Sequence, residues 1–148
     1  PNPNSPESEA FIRETSPDIM IARCKSLLAV RIFTIPTTGT LVMHPGICPE
    51  YRNAHGCFWA LVNRDLTRVG MTMLRIDEGI DTGSVFLQAG CPVEEQHESH
   101  IVLQYRVVLE NLDAIGDALV EVAEGRRATL DMRGRRSRPR SGKPGIRT

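Results

Sequence analysis

The sequence predicts an α/β fold. Short apolar runs of strand length alternate with stretches of helical period, and turn residues separate them. The 148 residues suffice for about one domain. Hydrophobic residues make up 41% of the chain and aromatics 5%, an aliphatic balance suited to an α/β core.

The elements follow in order. Residues 1–16 open with PNPNSPESE and read as a polar N-terminal tail or a cut end, since the first residue is Pro1. Residues 18–22 (DIMIA), behind Pro17, predict a buried strand. Residues 24–35 carry Leu27, Leu28, Val30, Ile32, Phe33 and Ile35, a helix or part of one that stops before Pro36. After a turn at 36–39, residues 40–43 (TLVM) predict a second strand running straight into His44-Pro45-Gly46. A loop follows. A helix over 54–63 then shows Phe58, Leu61 and Val62 on one face, with Asn53 as a candidate cap. Residues 69–76 (VGMTMLRI) are apolar on both sides, as in a strand with both faces covered. An acidic, glycine-bearing loop at 77–83 leads to a strand at 84–93. Residues 97–124 predict one long helix: Ile101, Tyr105, Val108, Leu109, Leu112, Ile115, Leu119 and Val122 keep the helical period, and Gly125 is placed to cap it. The globular part is thus expected over 17–125, with 126–148 a basic, disordered tail.

Charge separates the two parts. The whole chain is neutral, yet nine basic residues against Asp131 give residues 126–148 a charge of +8 and leave −8 on the rest. An arginine-rich end can make weak contacts to nucleic-acid phosphates, but this one has no aromatic residue for base stacking. The bland alternative is a solvated tail without a partner. No run of about 18 apolar residues suggests a membrane span, and no leader pattern opens the chain, so a cytoplasmic protein is expected. Cys24, Cys48, Cys57 and Cys91 form no C-x-x-C pair and read as reduced thiols. His44, Cys48 and Cys57 are the best metal candidates, but their spacing matches no known pattern, so no metal is expected.

Chemistry-bearing residues collect in two loops. His44 follows strand 40–43 directly, and Asp81 follows strand 69–76 by a few residues. If these strands are neighbours and parallel, their loops open on one side, and an imidazole and a carboxylate converge over one crevice. Such a pair can move protons and hold charge developing on oxygen. Spacing alone does not separate this from a structural histidine and a turn-forming aspartate.

The stretch HPGICPEYRN resembles the H-P-S-L-L-P-x-Y-R-G signature of 10-formyltetrahydrofolate-dependent formyltransferases. Ile76 to Gly83 (IDEGIDTG) resembles that family's D-E-G-x-D-T-G loop. Both motifs occur in order and at the family's distance, and the likeness spans about residues 17–122. The resemblance implies a Rossmann-like formyltransferase fold with a mixed sheet, here lacking its first strands. It implies His44 and Asp81 as catalytic residues, and Asp77, Glu78, Gly79 and Ile80 lining the folate pocket through backbone groups. It further implies 10-formyltetrahydrofolate as cosubstrate and no metal. The acceptor would be an amine of the methionyl-tRNA, glycinamide ribonucleotide or amino-sugar type, and the family also includes a formyltetrahydrofolate hydrolase. The sequence departs from the family at two places. Val42 stands where the family has the asparagine of N-x-H, and Asn53 replaces the glycine after Tyr-Arg. An isopropyl group cannot donate to an oxyanion, so a catalytically impaired folate-binding or regulatory module is the alternative reading.

Overall fold

The computed structural model describes residues 2–24, 26–52, 54–94 and 98–138. Four strands form one mixed sheet in the order β1-β2-β3-β4: β1 Ile19–Ala22, β2 Gly39–His44, β3 Gly70–Arg75 and β4 Val85–Gly90. β1 pairs parallel to β2, whereas β2–β3 and β3–β4 are antiparallel. Strands 40–43 and 69–76 are therefore neighbours, as the crevice argument required, but they are not parallel.

The pleat divides the sheet into two faces. Leu41, Met71 and Met73 point one way and pack with Phe86 against Val107, Ile115, Ala118 and Val122. Those four residues belong to α4 His100–Glu110 and α5 Leu112–Ala123. The expected single helix over 97–124 is thus two. Asn111 leaves the helical region at φ −118°, and its side-chain amide donates to the carbonyls of Gly90 and Val107. A side chain that bonds local backbone competes with the helix ladder and breaks it. The break also changes which residues are buried. Leu103 and Val107 are buried in α4, while Ile101, Tyr105, Leu109 and Leu112 are about half or more exposed. In α5 the expected Ile115 and Val122 do face the core. Gly125 follows at φ 69°, the left-handed residue expected to end the helix.

Three other expectations change. α3 spans Gly56–Val62, but it buries Gly56, Cys57 and Ala60 rather than Phe58, Leu61 and Val62. Small residues win here because the backbone comes very close: a Cβ on Gly56 would lie 2.6 Å from Gly46 Cα. Asn53, the expected cap, lies outside the described residues; His55 occupies the cap position at φ 67° without a side-chain bond. Among the described residues of 24–35, only Val30–Phe33 is helical (α2). The segment expected as a polar tail holds a helix, α1 Pro6–Thr15. Ser5 caps it by accepting from Ser8 N at 3.2 Å, Pro6 starts it, and Glu7 and Glu9 sit in its first turn, where negative charge suits the helix dipole. Asn4 and Glu9 tie this end to Ala29 and Arg31.

The basic end also departs from expectation as far as it is described. Arg127 donates to Phe86 O at 3.1 Å and Leu130 N to Val85 O at 2.8 Å, which covers part of the β4 edge. Arg135 and Arg138 reach back to Glu50 and Asp65. Acidic partners on the domain hold these arginines, so residues 126–138 are not a solvated tail; residues 139–148 lie outside the description. No helix among the described residues is long and apolar enough to cross a membrane.

Candidate active site

His44 is the last residue of β2 and is 6% exposed. It shares the second sheet face with Val42, Thr72 and Leu74, through the pairs Val42–Leu74 and His44–Thr72. The loop after it curls back on itself. Tyr51 N donates to Ile47 O at 2.9 Å, and the Tyr51 carbonyl comes within 2.8 Å of His44 Nε2. Gly46 makes this return possible: a Cβ there would sit 2.6 Å from Tyr51 O and 2.9 Å from His44 Nε2.

Asp81 arrives from the opposite end of the strand pair. β3 ends at Arg75, opposite Leu41, three positions and about 10 Å along the sheet from His44. The connection to β4 closes its neck through Arg75 N donating to Ser84 O at 2.9 Å, then folds back over the sheet face. Gly83 lets the neck close, since a Cβ there would lie 1.8 Å from Arg75 O. Asp77 braces the loop by accepting from Gly79 N at 3.0 Å and Thr82 Oγ1 at 2.6 Å. Asp81 sits at φ 53°, a left-handed conformation that aspartate tolerates better than most residues. Its Oδ2 lies 3.4 Å from His44 Nδ1. The two residues meet, by a fold-back loop rather than by parallel strands.

Both ring nitrogens of His44 thus face oxygen acceptors. A neutral imidazole has one N–H, so only the doubly protonated ring can serve both. The Nε2 contact is a good hydrogen bond, whereas the separation at Nδ1 is ion-pair spacing, beyond the best N–H···O range. The Asp81 side of the ring is the one a reacting group could share.

Beside this pair lies a cavity of about 400 Å³, lined by Val42, Leu74, Phe33 and Ala22, by the loop Asp77–Asp81, and by Cys24 and residues 26–30. The expected pocket residues Asp77, Glu78, Gly79 and Ile80 all line it. Its size is that of a small-molecule site. Apolar side chains form one wall, and the 77–81 loop forms the other. Val42 stands in the wall two residues before His44 and on the same face.

A polar network behind the His44 loop was not legible from the motifs. Thr72 Oγ1 donates to Gly46 O at 2.7 Å and accepts from Cys48 N at 2.9 Å. Gln88 donates to Cys48 O, and its own Oε1 accepts from Arg135. Arg135 holds Glu50 with two nitrogens, at 2.9 and 2.6 Å. Burial alone would raise the Glu50 carboxyl, but the bonded Arg135 guanidinium, a backbone N–H and the charge of Arg68 hold it below its ordinary range. The buried thiols Cys48 and Cys57 are poorly suited to act as nucleophiles. Burial, and then the charge of Asp81, push Cys48 up to about 12, and burial pushes Cys57 up to about 11. Among the described residues no three His, Cys, Asp or Glu side chains gather as a metal-binding group.

Known proteins place this arrangement. The formyl transferase family model matches residues 3–119. The chain belongs to that family. It is 33% identical over 132 residues to a methionyl-tRNA formyltransferase of Bacteroides thetaiotaomicron, covering 82% of this chain and 41% of that protein. It is 27% identical over 124 residues to the one from Caldanaerobacter subterraneus, covering 83% and 40%. The chain thus spans about two-fifths of the length of these relatives. Among solved structures, a sugar N-formyltransferase from a Shewanella species superposes with a TM-score of 0.73 at 21% identity, over 93% of this chain and 55% of that one. Glycinamide ribonucleotide transformylase 1 from Symbiobacterium toebii gives 0.69 at 24%, over 88% and 59%. At such identities the solved structures show the shared Rossmann-like α/β fold.

Proposed function

We propose that this formyl transferase family chain carries the reacting half of a site that moves a formyl group from 10-formyltetrahydrofolate to an amine. The observation that carries the reading is the His44–Asp81 contact of 3.4 Å beside a cavity walled by the 77–81 loop. The acceptor would be a methionyl-tRNA, glycinamide ribonucleotide or amino-sugar amine, the three types named for its relatives.

The reaction forms a bond from the amine nitrogen to the formyl carbon and breaks the bond from that carbon to the folate nitrogen. Negative charge develops on the formyl oxygen as the amine adds. When its ring carries both protons, His44, held at Nε2 by the Tyr51 carbonyl, can offer Nδ1–H to that oxygen. Asp81, 3.4 Å from His44 Nδ1, can take the proton the amine loses, for delivery to the departing folate nitrogen. The 77–81 loop and the apolar wall would hold the pterin, excluding water that would otherwise compete with the amine.

A second reading is favoured by one residue. Val42 places a hydrocarbon where a side-chain donor would strengthen the oxyanion site, and losing one such donor costs about 100- to 1000-fold in rate. That deficit points to a folate-binding module with little turnover. One assay separates the readings: incubate the intact protein with 10-formyltetrahydrofolate, with and without each amine, and follow folate absorbance. Amine-dependent turnover that Asp81→Asn abolishes is the expected result. Turnover without amine indicates the hydrolase, and folate binding without turnover indicates the binding module.

A further inference from the structure

The segment after α5 belongs to no part of the site as the motifs define it, yet its arginines converge on the loop that holds His44. Arg135 grips both carboxylate oxygens of Glu50 and donates to Gln88 Oε1 at 2.8 Å. A planar guanidinium that makes a bidentate pair and a third bond fixes direction as well as distance. Glu50 precedes Tyr51, whose carbonyl receives His44 Nε2. Gln88 continues the chain to the Cys48 carbonyl and to Thr72, which holds Gly46. Arg138 adds a second hold: its N–H donates to Glu50 O at 3.0 Å, its guanidinium pairs with Asp65 at 2.8 Å, and it lies over the Tyr51 ring at 5.4 Å. Tyr51 is also tied through its hydroxyl to Asp65 at 3.0 Å. Residues 46, 48, 50 and 51 are thereby fixed from outside the loop.

We infer that Arg135 is a positioning residue for His44: through Glu50 and Gln88 it sets the Tyr51 carbonyl, and so the orientation and N–H partner of the imidazole. The basic segment then acts as a strap across the loop, at least to Arg138. The link to formyl transfer rests on the function proposed above; the link to the His44 ring does not.

The test reads the ring itself. In the intact protein, NMR of isotope-labelled histidine follows the His44 Nε2–H shift and its exchange with water, while turnover is measured in parallel. Arg135→Leu should speed that exchange and lower kcat by about 100-fold, the scale of a misplacement near 1 Å. Glu50→Gln should move both readouts the same way. Arg133→Leu is the control, because Arg133 is exposed and pairs only with Asp131 among the described residues; it should change neither. If Arg135→Leu does not fold by circular dichroism, Arg135→Lys keeps the charge, loses the fork and is read in its place. An unaltered His44 N–H in a folded Arg135 variant overturns the inference, and so does an equal response from Arg133→Leu. A responsive ring in a protein with no turnover upholds the strap and removes the proposed function.

Discussion

On one face of the sheet, Leu41, Met71 and Met73 are at most 1% exposed and meet the side chains of α4 and α5. On the other face, the alternate residues of the same strands, Val42, His44, Thr72 and Leu74, meet loops. Helices can close a sheet face with apolar contacts alone, because their backbone groups are already bonded internally. Loops cannot, so the second face carries hydroxyls, amides and ion pairs to satisfy the backbone of 45–52 and 77–83. It also borders a cavity of about 400 Å³. The packed core and the candidate site therefore lie on opposite sides of the same strands.

The sharpest way to break that division is a pair of truncations. Met73→Ala empties the closed face and should lower stability by about 2–5 kcal/mol, with little effect on turnover per folded molecule. His44→Ala removes the proposed reacting group and should lower turnover by about 100- to 10,000-fold, with a smaller loss of stability than Met73→Ala. Urea unfolding and the folate assay on both variants check this. If His44→Ala proves the more destabilising, or Met73→Ala the more damaging to kcat at full folding, the two faces are not divided in this way.

An intermediate effect is expected at Val42. It faces the cavity beside His44, where an amide could donate to charge on the formyl oxygen. Val42→Asn should raise turnover by about 10- to 100-fold if donor loss limits the rate. Its stability should change by less than that of Met73→Ala, since Val42 is only partly buried. A drop in turnover, with weaker folate binding, would mean instead that the apolar wall is needed for the pterin.

The same division explains how much the sequence disclosed. β2, β3 and β4 were legible because their residue types repeat at strand period or are apolar on both sides. α5 was legible because its stripe has one face. α4 was not, because Ile101, Tyr105 and Leu109 compete with Leu103 and Val107 for the core, and only tertiary packing decides. α3 was misread because its contact face is made of Gly56, Cys57 and Ala60, which apolar periodicity weighs too lightly. At the candidate site, two short motifs pointed to His44 and Asp81, which lie 3.4 Å apart, although the strands that lead to them are antiparallel and not parallel. The bracing was invisible for another reason. Arg135 lies 85 residues from Glu50 in a run of similar arginines, and nothing local distinguishes it from Arg133 or Arg136.

The smallest expected effect is a response to acid, and it should appear on the loop face alone. Glu50 and Asp65 are both raised by burial but held below their ordinary values by their bonded partners, Arg135 for Glu50, and Tyr51, Arg68 and Arg138 for Asp65. A carboxyl depressed in the folded state adds stability that is fully present above its unfolded value and is lost as pH falls through the folded one. Between about pH 7 and about pH 5 the strap should therefore hold, and below the ordinary glutamate value of 4.5 it should loosen progressively. Native-state hydrogen exchange checks this: amides of 46–52 should lose protection in acid before those of β3, whose buried residues Met71, Met73 and Leu74 rest on apolar packing. Glu50→Gln should already be unprotected at neutral pH and respond less to acid. If the loop and β3 lose protection together, the two faces unfold as one unit, and the ion pairs of the loop face do not set its local stability.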